Sequence, residues 1–321
     1  MPGCITSLSA LGLLIAPVPT PVGPAATIAP DATSDSIALG REASRRMTVP
    51  VMIGGDGPHN FVVDTGSQRT VISSELAARL DLKTAPQKML VSILDRRLVE
   101  MIDLPPLRIG RTDTVSREAP VLEARHMGAD GILGLDSLGD KRIEIQNFGQ
   151  CLAIVDRDST VPDKDAGATI KVDARKREGQ LILVSAEATG HPVYTVLDTG
   201  AEINVGNSRL LKLLRTRGGV TILGSRKIVA VTGYAKNATI GYIRELKIGD
   251  VRLHNLAVAF IDSPALESLG LTDEPTLIMG MNSMAAFERV LIDFPKNRIT
   301  FVMPNMRVQP QSMSVLRRFG E

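Results

Sequence analysis

Short apolar runs broken by turn residues recur along this chain, and the same series of runs occurs twice. Met47-Thr48-Val49-Pro50-Val51-Met52-Ile53 reads as a strand, and Gly54-Gly55-Asp56-Gly57 as the turn that ends it. Phe61-Val62-Val63 then runs into Asp64. Thr70-Val71-Ile72 follows, with Ser73 as the cap of a helix predicted over Glu75–Leu80. In the second half Leu181-Ile182-Leu183-Val184 is the strand and Thr189-Gly190-His191 the turn. The stretch from Pro192 to Leu197 leads into Asp198, Ile203-Asn204-Val205 follows, and Asn207 or Ser208 caps a helix predicted over Arg209–Arg215.

A second matched pair lies downstream. Gly131-Ile132-Leu133-Gly134-Leu135-Asp136-Ser137 parallels Leu277-Ile278-Met279-Gly280-Met281-Asn282-Ser283. Each is followed by closing strands, Arg142-Ile143-Glu144-Ile145 with Leu152-Ala153-Ile154-Val155, and Arg289-Val290-Leu291-Ile292 with Ile299-Thr300-Phe301-Val302. The aspartates are 134 residues apart (64 to 198) and the glycines 146 (134 to 280). Units of that size are duplicated domains, too long for solenoid turns. The pattern therefore predicts a mainly β protein of two lobes: a leader over 1–30, a first lobe over 31–155, a linker over 156–174, a second lobe over 175–304 and a polar tail over 305–321.

Composition narrows the function. The 321 residues carry a net charge of only +2 and 3% aromatics with no Trp, which excludes a basic, base-stacking surface and argues against nucleic acid as a partner. Ile5 to Ala16 is apolar but too short to span a bilayer, so no transmembrane segment is expected. With the Pro/Ala/Thr-rich tract after it, this stretch reads as the core of a secretory signal without a charged start, placing the protein in the periplasm or outside the cell; otherwise it is cytoplasmic. Cys151 is the one cysteine beyond that leader, so no disulfide framework is available, and its apolar surroundings predict a buried, inert thiol.

The chemistry lies in Asp64-Thr65-Gly66 and Asp198-Thr199-Gly200. An isolated carboxylate at the end of a buried strand tends to protonate. Two of them side by side cannot both ionise, so the pair holds one proton and can act as base and acid on one water. Thr65 and Thr199 can hydrogen-bond across an interface and fix the two loops. Gly66 and Gly200 admit the backbone close to the carboxylates, and Gly134 and Gly280 would pack behind the loops. Ser67 follows the first motif and Ala201 the second. A Ser67 hydroxyl donating to the carboxylate would lower the pair's pKa.

With two such motifs, each with an apolar lead-in and a downstream apolar-apolar-glycine, the sequence resembles the aspartic proteases. Its short loops point to the retropepsin-like branch, which has bacterial members, with the bilobal pepsin-like enzymes as the second choice. The resemblance covers roughly residues 45–155 and 175–303. It implies two acid-protease β-barrel lobes forming an intrachain pseudo-dimer in a monomer, Asp64 and Asp198 as catalytic residues, and an endopeptidase acting on a polypeptide substrate without metal or cofactor. It also implies a glycine-bearing flap. Val229-Ala230-Val231-Thr232-Gly233-Tyr234 fits, with Gly233 and Tyr234 over the cleft, or Tyr234 filling a core gap instead. Val91-Ser92-Ile93-Leu94-Asp95-Arg96-Arg97 in the first half lacks the glycine and carries charge at its tip, which predicts a single working flap.

Competing chemistry finds no support in the spacing. His59, His126, His191 and His254 are isolated, with His59 and His191 expected in solvent-facing turns, and no metal-ligand motif is present. Ser137 has the wrong flanking glycines for a nucleophile elbow. The rival reading is a catalytically weak or inactive protease-like protein that binds peptides in the cell envelope. A further alternative pairs each half with its twin in another chain.

Overall fold

The repeated apolar runs become two β lobes. The computed structural model describes residues 40–41, 47–110, 112–114, 118–146, 151–155 and 168–304. The leader, the tail and residues 156–167 of the expected linker lie outside them. The first lobe contains β1 (Gly40–Arg41), β2 (Met47–Ile53), β3 (Asp56–Val63), β4 (Val71–Ser73), α1 (Ser74–Arg79), β5 (Thr84–Val91) and β6 (Arg96–Ile102). It continues with β7 (Leu107–Ile109), β8 (Thr112–Thr114), β9 (Ala119–Leu122), α2 (Ala124–Met127), β10 (Gly131–Leu133) and α3 (Leu135–Leu138). Next come β11 (Arg142–Gln146), β12 (Cys151–Val155) and β13 (Thr169–Arg177).

The second lobe repeats the plan with β14 (Gln180–Ala188), β15 (His191–Leu197), β16 (Asn204–Gly206), α4 (Ser208–Thr216), β17 (Val220–Val229), β18 (Ala235–Ile248) and β19 (Val251–Phe260). It ends with α5 (Pro264–Ser268), β20 (Thr276–Met279), α6 (Met281–Met284), β21 (Arg289–Asp293) and β22 (Arg298–Val302). Both predicted helix caps form: Ser73 Oγ accepts from Leu76 N, and Asn207 Oδ1 from Leu210 N. The sequence reading found one helix per lobe and missed α2, α3, α5 and α6, which run only four or five residues, too short for an apolar stripe to show.

Two features of the topology set up the site. In each lobe the strand leading into the aspartate pairs in parallel with the strand leading into the downstream glycine, β3 with β10 (Val63↔Leu133) and β15 with β20 (Leu197↔Met279). Parallel strands are usually covered on both faces, and the lead-in residues Phe61, Val62, Val63, Val196 and Leu197 are all buried. In addition, the closing strands of the two halves join in one sheet. β11 of the first half pairs antiparallel with β21 of the second, Ile143 opposite Ile292 and Ile145 opposite Val290. One continuous apolar cluster then runs from Val49 and Leu133 in the first lobe to Leu277 and Phe301 in the second.

Two expectations change. β13 begins at Thr169, inside the stretch read as linker, because Thr169–Asp173 pair with Arg298–Val302 of the shared sheet. His59 is buried in β3 rather than in a solvent-facing turn, with Nε2 2.9 Å from Asp56 Oδ1. His191 opens β15, half-buried.

Candidate active site

The parallel pairings bring the ends of β3 and β15 together at the boundary between lobes. Asp64 N donates to Leu133 O and Asp198 N to Met279 O, both at 3.0 Å, so each aspartate is anchored to the strand that precedes its structural glycine. The threonines then cross the boundary. Thr65 Oγ1 donates to Leu197 O at 2.9 Å and accepts from Thr199 N at 3.1 Å. Thr199 Oγ1 donates to Val63 O at 2.7 Å and accepts from Thr65 N at 3.0 Å. All four bonds are buried. Each of these contributes a net ~1 kcal/mol, and losing one partner would strand a buried polar group at a larger cost.

With the loops so tied, each carboxylate curls into its own turn. Asp64 Oδ1 accepts from Gly66 N at 2.8 Å and Ser67 N at 3.0 Å. Asp198 Oδ1 accepts from Gly200 N at 2.9 Å and Ala201 N at 3.0 Å. The two carboxyls lie side by side, each against the glycine of the other's loop. A side chain on Gly66 would overlap the Asp198 carboxyl, and one on Gly200 would overlap that of Asp64. Glycine is required here by close approach. Burial first, then the charge of Asp64 and its hydrogen bond, push the Asp198 carboxyl well above the ordinary carboxylate range.

Gly134 and Gly280 stand behind these loops. A Cβ on Gly134 would strike the Arg69 backbone, and one on Gly280 the carbonyls of Ile203 and Ala201. Leu135 N donates to Ser67 O and Met281 N to Ala201 O, at 2.8 and 2.9 Å. Sequence reasoning missed the residues that hold these glycines, Thr70 Oγ1 accepting from Gly134 N and Asn204 Oδ1 from Gly280 N. They are also 134 apart (70 to 204), so extending the aspartate offset by six residues would have found them despite their different types. Asp136 and Ser137 bind Thr70, and Ser283 binds Asn204.

One expected contact is absent. Ser67 Oγ donates to Arg69 O at 2.7 Å rather than to the carboxylate, which receives the Ser67 backbone N–H instead.

Two hairpins meet across the boundary between the lobes. The β17–β18 turn holds Gly233, at φ +78°, against the His126 ring of the first lobe, and Tyr234 is 44% exposed rather than a core residue. The β5–β6 hairpin forms too, despite having no glycine. Ser92 N donates to Asp95 O at 2.8 Å, and Ser92 Oγ accepts from Leu94 N and Asp95 N, at 3.1 and 3.0 Å, and donates to the Asp95 carboxylate, so backbone and side chain close the turn together. The two hairpins meet at their tips. Thr232 Oγ1 donates to Asp95 Oδ1 at 2.8 Å and Arg97 Nη1 to Thr232 O at 3.0 Å. Burial raises the Asp95 carboxyl, but hydrogen bonds from Ser92, Thr232 and Arg97 and the charge of Arg97 outweigh it, leaving it below the ordinary range.

A cavity of about 320 Å³ opens beside Gly66 and Ser67, walled by Val71, Leu90, Val99 and Met101 and, from the second lobe, Leu269. Among the described residues no helix is long and apolar enough to cross a membrane.

No individual curated protein matches the chain. The family model for aspartyl proteases matches residues 49–137 and 184–283, one region in each lobe and each containing one Asp-Thr-Gly. Together with the paired lobes and facing aspartates, that match makes the chain a member of the retropepsin-like aspartyl protease family.

Proposed function

We propose that the protein is an aspartic endopeptidase whose catalytic residues are Asp64 and Asp198. The observation that carries this reading is the pair of carboxyls set side by side at the lobe boundary, each against the glycine of the other's loop, with Asp198 pushed well above the ordinary range. Such a pair keeps one proton between them at mildly acidic pH. One carboxylate takes a proton from water as the water oxygen attacks the scissile carbonyl carbon. The other carboxyl gives its proton to the carbonyl oxygen, producing a tetrahedral diol. The newly protonated carboxyl then gives its proton to the amide nitrogen while the other carboxylate takes one from a hydroxyl of the diol, so that the C–N bond breaks, the carboxylic acid product forms and the pair again holds one proton. Every proton in this sequence is supplied by the dyad or by water.

The substrate is a polypeptide, laid between the floor and the paired hairpins and presenting side chains to cavities such as the one beside Gly66. The protein acts as a monomer, since one chain supplies both aspartates. Export to the periplasm or beyond is supported by the Ile5–Ala16 run and the tract after it, which lie outside the described residues.

Cleavage of a denatured protein in mild acid, blocked by a non-cleavable hydroxyl-bearing mimic of the tetrahedral diol, is the expected result. Tight binding of the mimic without cleavage of any polypeptide would favour the peptide-binding alternative.

A further inference from the structure

The strands that end the two sheets differ in how open they are to further pairing. β8 is three residues long, and β5 carries Pro86 and a register shift between Ala85 and Lys88, features that blunt a sheet edge. β17 ends the second sheet, runs ten residues without a proline and, among the described residues, pairs with β18 alone. Thr221 to Lys227 are exposed without interruption, so the free edge and both faces of the strand meet solvent there. The register shift between Ile222 and Gly224 bulges Leu223, which is 55% exposed, and Ile222 beside it is exposed too.

The charge on this strand has one sign. Between Glu202 and Glu245 the sequence has no acidic residue, and Arg226 and Lys227 stand in the exposed run. Arg226 Nη1 donates to the carbonyl of its neighbour Ser225 at 3.1 Å, and among the described residues neither cation is ion-paired. The first-lobe hairpin contrasts with this: Lys88, Arg96 and Arg97 pair with Glu118, Glu267 and Asp95. Consecutive strand residues point to opposite faces, so Arg226 and Lys227 put one cation on each.

We propose that β17 is a docking edge for an extended, acidic segment of another polypeptide, which joins the sheet as one more strand. The backbone N–H and C=O groups of the open edge supply the pairing. Two adjacent acidic residues of the segment meet Arg226 and Lys227 on opposite faces, and its apolar residues cover Ile222 and Leu223. The same observations argue against two other occupants. A second copy of β17 would gather Arg226 and Lys227 of both chains in one sheet with no acidic residue among them. An anionic bilayer would match the charge but supply no partners for the backbone groups of the edge. β17 leads into the tip that binds the first lobe through Thr232, so a segment held on it is tethered to the hairpin that spans the two lobes.

The test uses the full chain carrying Asp64→Asn, so that the probe is not consumed and the outcome does not depend on turnover. The probe is a fluorescein-labelled peptide, Val-Thr-Val-Thr-Glu-Glu-Thr-Val-Thr-Val, which presents the same side chains in either strand direction. Fluorescence anisotropy should show saturable binding. Affinity should fall about tenfold when Lys-Lys replaces the central Glu-Glu, about tenfold with Arg226→Ser and Lys227→Ser together, and about threefold with Leu223→Ser. These protein substitutions are at exposed positions, so the variants should fold. Amide hydrogen exchange should show new protection along β17 in the complex. Binding that ignores the β17 substitutions would put the peptide elsewhere and overturn the proposal, as would binding without new protection on β17. Failure of the peptide to bind overturns it as well, and phosphatidylglycerol vesicles and sedimentation of the chain alone then show whether a lipid surface or a second copy takes the edge instead.

Discussion

The two lobes solve the same local problems with different chemistry. At the second-lobe hairpin tip the chain turns on Gly233, and the turn is closed by backbone bonds, Ala230 N to Tyr234 O and Gly233 N to Ala230 O, both 2.8 Å. At the first-lobe tip one backbone bond, Ser92 N to Asp95 O at 2.8 Å, is joined by Ser92 Oγ accepting from Leu94 N and Asp95 N, and the charge of Asp95 becomes the acceptor for Thr232 of the opposite tip. Each tip also delivers an apolar residue to the other lobe. Leu94 is buried among Val196, Val205 and Ile278, and Val231 packs against Val62, Val71 and Ile132. Glycine is therefore not what defines a closing hairpin. A hydroxyl that caps the turn and an apolar residue that crosses the cleft are sufficient.

The largest effect should come from Leu94→Ala, which leaves a cavity in the second lobe from a residue of the first. Thermal or denaturant unfolding should show a loss of about 3 kcal/mol. A loss below about 1 kcal/mol would mean that the tip merely rests on the surface.

The polar half of the latch is weaker. A double-mutant cycle of Asp95→Asn with Thr232→Val should give a coupling of about 1 kcal/mol at neutral pH. Because hydrogen bonds set the folded pKa of Asp95 below its unfolded value, about 3.9, this contribution is fully present above that value. It is lost as pH falls through the folded pKa. The latch therefore holds in the mildly acidic range where the dyad works and loosens in stronger acid. A coupling that grew on acidification would contradict the arrangement.

Tyr234→Ala sharpens the comparison from the other tip. Stability should change by less than about 1 kcal/mol, as for an exposed side chain, while peptide cleavage falls if the ring covers bound substrate. The smallest effect concerns Ser67, the counterpart of Ala201. Since its hydroxyl serves Arg69 O, Ser67→Ala should leave the pH profile of cleavage in place, and an upward move of the acidic limb would show that the hydroxyl reaches the carboxylate.

What the sequence revealed follows from which interactions repeat. Asp64 and Asp198, Thr65 and Thr199, and Gly134 and Gly280 were legible because the duplication placed identical residues in matching motifs. Thr70 and Asn204 do the same work with different side chains, so identity alone passed over them. The contacts of the Ser92 turn were not legible, because Ser92 Oγ and the Asp95 carboxylate act there where the other lobe has a positive-φ glycine. The Gln180 side chain, which reaches Gly66 O, left no trace in the sequence, since its contact joins positions 114 residues apart. The shared sheet was legible as strands but not as a pairing between halves, which only register can show.

The central claim, one dyad assembled within one chain, is tested most directly by Asp64→Asn and Asp198→Asn assayed separately and mixed. Asn matches the carboxyl in shape and can still hydrogen-bond in the loop, so both variants should fold. Each alone should lose roughly a thousandfold or more in kcat/KM, because a single carboxyl cannot take and supply the proton, and the mixture should remain as inactive. Either variant keeping about half the activity would mean separate sites built by chain pairing, and recovery on mixing would mean that the two aspartates meet between chains.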